Sequence, residues 1–292
     1  MKPIIPSINY HITKSCNMKC KFCFATFNDL GCVKHDLEKS KKIIFEIAKN
    51  GFTKITFAGG EPTLVKELPE MLKYAKELGL ITTIVTNGAK LSEKDLLSKL
   101  SLNLDWVALS IDSLDDAVNL KSGRAINGGR TVLSASYFKE LIAKLKQKDI
   151  KIKINTVVSK YNVAEDMNAF IIQTEPDRWK ILQALKVDGQ NNQGANDFEI
   201  TNSQFKSYLK QNSVGLSSLD NAIENTELIK GSYLMISPEG TLYDNTGASY
   251  TYSDAITEIG LEAALKQINF DVKKFIDRGG YYNYQNEKKS VA

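Results

Sequence analysis

Along the first two-thirds of the chain, short runs rich in β-branched and aromatic residues alternate with stretches whose apolar positions recur every three or four residues. The runs, at residues 7–12, 54–58, 81–86, 106–111, 150–158 and 179–185, predict strands. The first amphipathic stretch starts after Asp36, a capping residue, turns Ile43, Ile44 and Ile47 to one face and stops at Gly51. Others cover about 68–78, 93–100, 132–147 and 164–172. Strands and helices joined by short connections predict βα units on a parallel sheet, and six such strands make an open partial (β/α)6 barrel of the α/β class. After Leu185 the rhythm changes. Residues 188–196 are rich in Gly, Asn and Gln and read as loop; a helix follows near 202–211, then a hairpin turning at Pro238-Glu239-Gly240, and helices near 261–268 and 272–276. The tail Arg278-Gly279-Gly280-Tyr281-Tyr282-Asn283-Tyr284 sets aromatics after glycines. We expect a single domain over 1–292: a partial barrel to about 187, and from about 188 to 292 a C-terminal α/β extension and tail lid closing over the barrel mouth.

Composition narrows the function. With 42% hydrophobic and 25% charged residues the chain has the profile of a globular protein. A net charge of +4 suits an anionic small substrate and falls short of a nucleic-acid footprint. No apolar run reaches the roughly 18 residues of a membrane span, and Met1 to Pro6 lack the charged-then-apolar order of a secretion signal. The expectation is a cytoplasmic protein with no membrane and no nucleic-acid partner.

Three of the four cysteines fall within eight residues, Cys16-Asn17-Met18-Lys19-Cys20-Lys21-Phe22-Cys23, directly after the first strand. In a reducing compartment such a cluster reads as metal binding before disulfides. Gaps of three and two residues let one loop wrap thiolates around three corners of a cubic cluster. Thiolates suit iron–sulfur clusters and zinc alike, but structural zinc needs four ligands, and neither a second cysteine pair nor histidines beyond His11 and His35 are present. Three ligands leave one iron open. Cys32 stands outside the spacing and reads as an incidental thiol.

The C-x3-C-x2-C run after a first strand resembles the defining motif of the radical S-adenosylmethionine superfamily. The resemblance implies a 4Fe-4S cluster on Cys16, Cys20 and Cys23, its open iron binding the amino and carboxylate groups of S-adenosylmethionine, and Phe22 near the adenine. Gly59-Gly60-Glu61-Pro62 after the second strand matches the motif whose backbone meets the methionine amino group; Asn87 and Ser110, at the ends of the third and fourth strands, fit ribose contacts, and Arg124 the methionine carboxylate. Taken singly these are ordinary turn or surface residues. Their order and strand-end positions suit a barrel, where ligands gather at the C-terminal ends of strands.

A narrower resemblance, to viperins, runs nearly the whole chain: Ser7-Ile8-Asn9-Tyr10-His11, the Lys54-to-Pro62 run, Lys153-Ile154-Asn155, Asn162 to Asn168, Arg178-Trp179-Lys180 and Arg278-Gly279-Gly280. It implies conversion of a nucleoside triphosphate (CTP, UTP or GTP) to its 3′-deoxy-3′,4′-didehydro analogue by 4′-hydrogen abstraction and loss of the 3′-hydroxyl as water. An electron donor such as flavodoxin or ferredoxin is implied with it. The animal proteins' N-terminal amphipathic helix and tryptophan ending have no counterpart here, which points to a microbial, cytosolic form with an antiviral, anti-phage role. Under this resemblance Lys54, Lys153, Arg178 and Lys180 meet the triphosphate, Asn9 and Asn155 orient the ribose, and Gly280 and Tyr281 belong to a segment ordering over the nucleotide. Tyr233 supplies the final hydrogen, sits beside the ribose, or packs as a core aromatic. Alternation alone leaves Lys153 and Lys180 facing in or out. Two other readings stand beside this one: another radical S-adenosylmethionine enzyme with a different small substrate, and a non-catalytic iron–sulfur or zinc module.

Overall fold

A computed structural model describes residues 5–285. Twelve strands are present among them: β1 Ser7–His11, β2 Lys54–Ala58, β3 Ile81–Thr86, β4 Trp106–Ser110, β5 Ala125–Ile126, β6 Thr131–Val132, β7 Lys151–Val158, β8 Arg178–Gln183, β9 Asn221–Glu224, β10 Met235–Ile236, β11 Thr241–Asp244 and β12 Thr251–Ala255. Ten form one sheet in the order β12-β11-β10-β1-β2-β3-β4-β7-β8-β9, and β5 and β6 form a separate two-stranded ribbon. From β10 to β9 every neighbour in the large sheet is parallel, while β11 and β12 add antiparallel. The sheet does not close, because β12 and β9 are its free edges. All six expected strands are there. The C-terminal third does more than pack on them: β9 extends one edge of the sheet and β10–β12 the other.

The helices arise where periodicity and caps coincide. Asp36 accepts the Lys39 backbone amide, and the helix Leu37–Lys49 buries Ile43, Ile44 and Ile47. Ser134 caps the helix Ala135–Lys146, which buries Phe138, Leu141, Ile142 and Leu145. These faces pack on the outward residues of the sheet, including Ile8, Ile55, Phe57, Ile84, Ile152 and Ile154. Each such side chain contributes roughly 1.5–3 kcal/mol by leaving water. That outer core fixes the strand registers and turns the alternate residues inward. One helix, Asp116–Ser122, was not expected from periodicity; Asp115 caps its start and Gly123, at φ +84°, its end.

The C-terminal extension closes over a mouth of the barrel. The mouth it covers is the one at the N-terminal ends of the strands: Trp106 Nε1, at the start of β4, donates to the Tyr284 carbonyl (2.9 Å), and Lys151 Nζ, at the start of β7, to that of Gln285 (2.7 Å). The cysteines follow the C-terminal end of β1, at the opposite mouth. Residues 188–196, read as loop, contain a short 3-10 turn (Asn192–Gly194) and the start of the helix Ala195–Phe198.

Candidate functional site

The cysteine loop is held by main chain. Gly60 N donates to Thr13 O (2.6 Å), Glu61 N to Ser15 O (2.8 Å), Lys19 N to Gly123 O (3.2 Å) and Lys21 N to Ser122 O (2.9 Å). A Cβ on Gly60 would stand 2.3 Å from Ser15 O, and one on Gly123 2.1 Å from Lys19 O. Glycine at these two positions is therefore what lets the turn after β2 and the Asp116–Ser122 helix end touch the loop. Lys14 Nζ crosses the loop and donates to the carbonyls of Phe27 (2.9 Å) and Leu30 (2.8 Å).

Cys16, Cys20 and Cys23 are each half-buried. Burial pushes all three thiols up; for Cys23, with Cys20 adding to it, to about 12. Arg124 opposes the rise at all three thiols, the part a cation plays where thiolates are to form. Among the described residues no three His, Cys, Asp or Glu side chains are grouped to hold a single metal ion. Cysteine thiolates are the ligands of 4Fe-4S clusters, and this loop carries three cysteines. Cys32 is exposed and lines a separate groove with His35 and Glu239.

Arg124 and Asn87 reach this loop. Arg124 donates to Asp112 Oδ2 (2.5 Å) and to Cys20 Sγ (3.6 Å). Asn87 Nδ2 donates to Asn17 Oδ1 (2.7 Å), one residue from Cys16. Ser110 ends β4 beside Asn155, its register partner. Phe22 packs with Ala184, Ala195 and Phe198, and its carbonyl accepts from Asn191 Nδ2 (3.0 Å). Gly59 follows β2 directly, and Gly60 is the loop contact just described. The Glu61 carboxylate is buried and fully engaged: Oε1 accepts from Thr63 N and from the hydroxyls of Thr63 and Thr86 (2.6 and 2.7 Å), and Oε2 from Asn87 N (2.8 Å). It ties the end of β2 to the end of β3. Asp112, which orients Arg124 and also accepts from Val157 N (2.8 Å), had no motif to mark it.

A cavity inside the barrel holds the second group. Asn9, Lys54, Lys153, Asn155, Arg178, Lys180, Tyr233 and Gly280 all line it, together with Thr83, Glu224, Arg278 and Tyr282. Ile152 and Ile154 lie in the outer core, so Lys153 and Asn155 face inward; Trp179 and Ile181 do the same for Lys180. Tyr281 is 48% exposed and packs on Phe275, so the neighbouring Tyr282 enters the cavity instead. The Tyr282 hydroxyl meets both Lys54 Nζ and Lys153 Nζ (2.5 Å for the latter), and the Arg178 guanidinium lies 4.0 Å from its ring centre. Arg178 also pairs with Asp220 (2.9 Å) and donates to Gly279 O (2.7 Å).

Glu224, at the end of β9, is completely buried. It pairs with Lys180 (3.0 Å) and Arg278 (3.2 Å) and accepts from the Tyr233 hydroxyl. The Arg278 guanidinium stacks 3.7 Å from the centre of the Tyr233 ring. Five cations thus surround one buried carboxylate and two phenols, with Asp220 pairing Arg178 from the more exposed side. Burial, then Arg178 and Lys180, hold the Lys54 amine well below the ordinary lysine range. Burial and Lys54 do the same to Lys153. Burial brings Lys180 down to about 8 against the pull of Glu224. Burial alone would raise the Glu224 carboxyl, but Lys180 and Arg278 outweigh it and keep it low. An excess of buried cations is costly unless an anion joins them. Sequence reasoning missed Glu224, since β9 is too short to announce itself. It also passed over Arg278 as a ligand, although it directly precedes the glycines already noticed.

The sequence profile of the Radical SAM superfamily matches residues 10–171. Two relatives are each named S-adenosylmethionine-dependent nucleotide dehydratase. One, from Lacinutrix mariniflava, is 43% identical over 97% of this chain and 60% of its own length. The other, from Flammeovirga pacifica, is 39% identical over 97% of both chains. The chain thus spans about 60% of the length of the first relative and nearly all of the second. In fold the chain is similar to Streptococcus suis SuiB bound to S-adenosylmethionine (TM-score 0.67, 19% identity, 94% of this chain and 67% of that one).

Proposed function

The chain belongs to the radical S-adenosylmethionine superfamily and, within it, to the nucleotide dehydratases, and we propose that it converts a nucleoside triphosphate into its 3′-deoxy-3′,4′-didehydro analogue. The observation that carries this reading is the cage of Lys54, Lys153, Arg178, Lys180 and Arg278 around one cavity inside the barrel. A polyanion answers the cage, as the triphosphate of a nucleotide does.

Cys16, Cys20 and Cys23 would hold the cluster, and Arg124, Asn87, Ser110 and the Gly59–Gly60 backbone would take S-adenosylmethionine beside it. Bound there, the two would supply the one-electron chemistry that removes the 4′-hydrogen of the sugar. The chain's own residues do the rest. The cage grips the triphosphate, arginines in bidentate fashion and lysines as point charges. Asn9 and Asn155 orient the sugar, holding the reacting atoms in near contact. Tyr233, its hydroxyl held between Lys180 and Glu224, borders the space where the sugar lies and is the residue we assign to proton or hydrogen delivery. The cavity measures about 80 Å³, well under the roughly 300 Å³ and more of small-molecule pockets. The Tyr282 phenol occupies the cage, and a triphosphate takes its place there while the tail excludes water.

The reading includes a role in antiviral, anti-phage defence, a cytoplasmic setting, and a one-electron donor such as flavodoxin or ferredoxin. Among the described residues no helix is long and apolar enough to cross a membrane. The test is anaerobic reconstitution with dithionite, S-adenosylmethionine and CTP, UTP, GTP or ATP in turn, read by mass spectrometry. We expect 5′-deoxyadenosine together with one nucleotide lighter by a water. Deoxyadenosine with no altered nucleotide would keep the superfamily chemistry and reject this substrate.

A further inference from the structure

β3 carries three threonines, and two of them are satisfied. Thr82 Oγ1 donates to the Asn103 carbonyl (2.6 Å) and Thr86 Oγ1 to Glu61 (2.7 Å). Thr83 is 1% exposed, and its hydroxyl has no hydrogen-bond partner. It lines the barrel cavity, as does Asn155, whose Oδ1 is also buried and unpartnered. A buried hydroxyl without a partner is unfavourable, so two such groups opening on one cavity mark a place where a ligand's hydroxyls complete the bonding. The surrounding inward positions make room for it: Thr56, in register with Thr83, and Val85 and Ala108, which pair with each other, are all small.

The level of Thr83 in the barrel says which part of a nucleotide reaches it. Lys54 pairs with Ile81, two residues below Thr83, which is roughly 7 Å along the strand toward the phosphate cage. Asn87, beside the cysteine loop, lies four residues above, roughly 13 Å. A group between the phosphates and the reacting end of the cofactor is the sugar. We propose that the Thr83 hydroxyl binds the 2′-hydroxyl of the substrate's ribose, making Thr83 a residue that selects ribonucleotides over 2′-deoxyribonucleotides. The inference rests on the nucleotide reading above and adds a specificity determinant to it.

The test pairs a change in the protein with the matching change in the substrate. Wild type, Thr83→Val (same shape, no hydroxyl) and Thr83→Ser are assayed with the accepted ribonucleoside triphosphate and its 2′-deoxy form, reading kcat/KM for dehydrated nucleotide and the ratio of 5′-deoxyadenosine to product. We expect Thr83→Val to lose about tenfold on the ribonucleotide, wild type to lose about tenfold on the deoxynucleotide, and the two losses not to multiply. Thr83→Ser should restore most of the activity. Iron content and substrate-free cleavage of S-adenosylmethionine should match wild type in every variant. Should Thr83→Val load iron poorly, Thr83→Ala repeats the comparison with a smaller side chain. A Thr83→Val enzyme equal to wild type, or losses that multiply fully, would overturn the inference alone. A wild type that dehydrates no nucleotide would reject the nucleotide reading, and this inference with it.

Discussion

Replacing Gly123 by alanine should disturb the cysteine loop from a position that bears no ligand. Gly123 ends the Asp116–Ser122 helix at φ +84°, where an L-residue costs about 1–2 kcal/mol. The added Cβ would also fall 2.1 Å from the Lys19 carbonyl oxygen. That oxygen belongs to backbone held by the Lys19–Gly123 and Lys21–Ser122 hydrogen bonds and cannot swing aside as a side chain would. The loop must retreat by about 1 Å, and overpacking of this kind costs about 1–3 kcal/mol. The sum, about 2–5 kcal/mol, corresponds to a Tm lower by roughly 3–8 °C for a chain of this size. Because Lys19 adjoins Cys20 and Gly123 adjoins Arg124, which reaches Cys20 Sγ, the displacement passes to a cluster ligand from both sides. A misplacement of about 1 Å at a reacting centre can cost about 100-fold in rate. The assays are thermal melts, iron per chain and 5′-deoxyadenosine formation, all under anaerobic conditions. Gly129→Ala is the control, since its φ is +85° but no atom lies within 4 Å of its Cβ, so it carries the backbone strain without the clash. If Gly123→Ala costs no more than Gly129→Ala and keeps wild-type iron and cleavage, the reasoning about the loop contact is wrong.

Removing the hydroxyl of Tyr282 with phenylalanine should destabilise the nucleotide-free protein by about 1–3 kcal/mol, because the Lys54 and Lys153 amines lose their shared partner. It should at the same time tighten triphosphate binding, measured calorimetrically, since the incoming phosphates displace less; weaker binding would contradict the picture of a phenol in the phosphate place. The pH dependence has a definite sign. Lys180 sits at about 8 in the folded protein, below its unfolded value of roughly 10.4, so between those values the unfolded chain binds more protons and stability rises with pH. Denaturant melts from pH 8 to 9.5 should show this rise without nucleotide, reduced in Lys180→Met and flattened by a triphosphate that favours the charged amine. A fall across the same range in wild type would refute it.

Much of this was legible in the chain itself. The six barrel strands and the hairpin at Pro238-Glu239-Gly240 follow from alternation and turn residues, because those signals act over a few neighbours. The helix Leu37–Lys49 is equally local, set by Asp36 and the spacing of Ile43, Ile44 and Ile47. The spacing of Cys16, Cys20 and Cys23 is chemistry written into one short loop, which is why it could be read without a structure. Its position at the end of β3 likewise put Asn87 near that loop in advance, whereas Arg124 follows the Asp116–Ser122 helix and reaches the loop from there.

Other features depend on residues far apart in sequence meeting through the sheet. Alternation gave Lys153 two possible faces; the packing of Ile152 and Ile154 under the helices chose one. Glu224 lies on a four-residue strand that exists because β8 templates it, and its carboxylate gathers Lys180, Tyr233 and Arg278 from three separate segments. That Tyr282 and not Tyr281 enters the cage is set by Phe275, which holds Tyr281 outside. Local patterns determined the elements and the cluster loop, since a few adjacent residues suffice to specify each. Which mouth the tail covers, and which cations share a cavity, were decided only by tertiary packing, because strand register and burial of the outer core select among orientations that the local sequence leaves equal in energy.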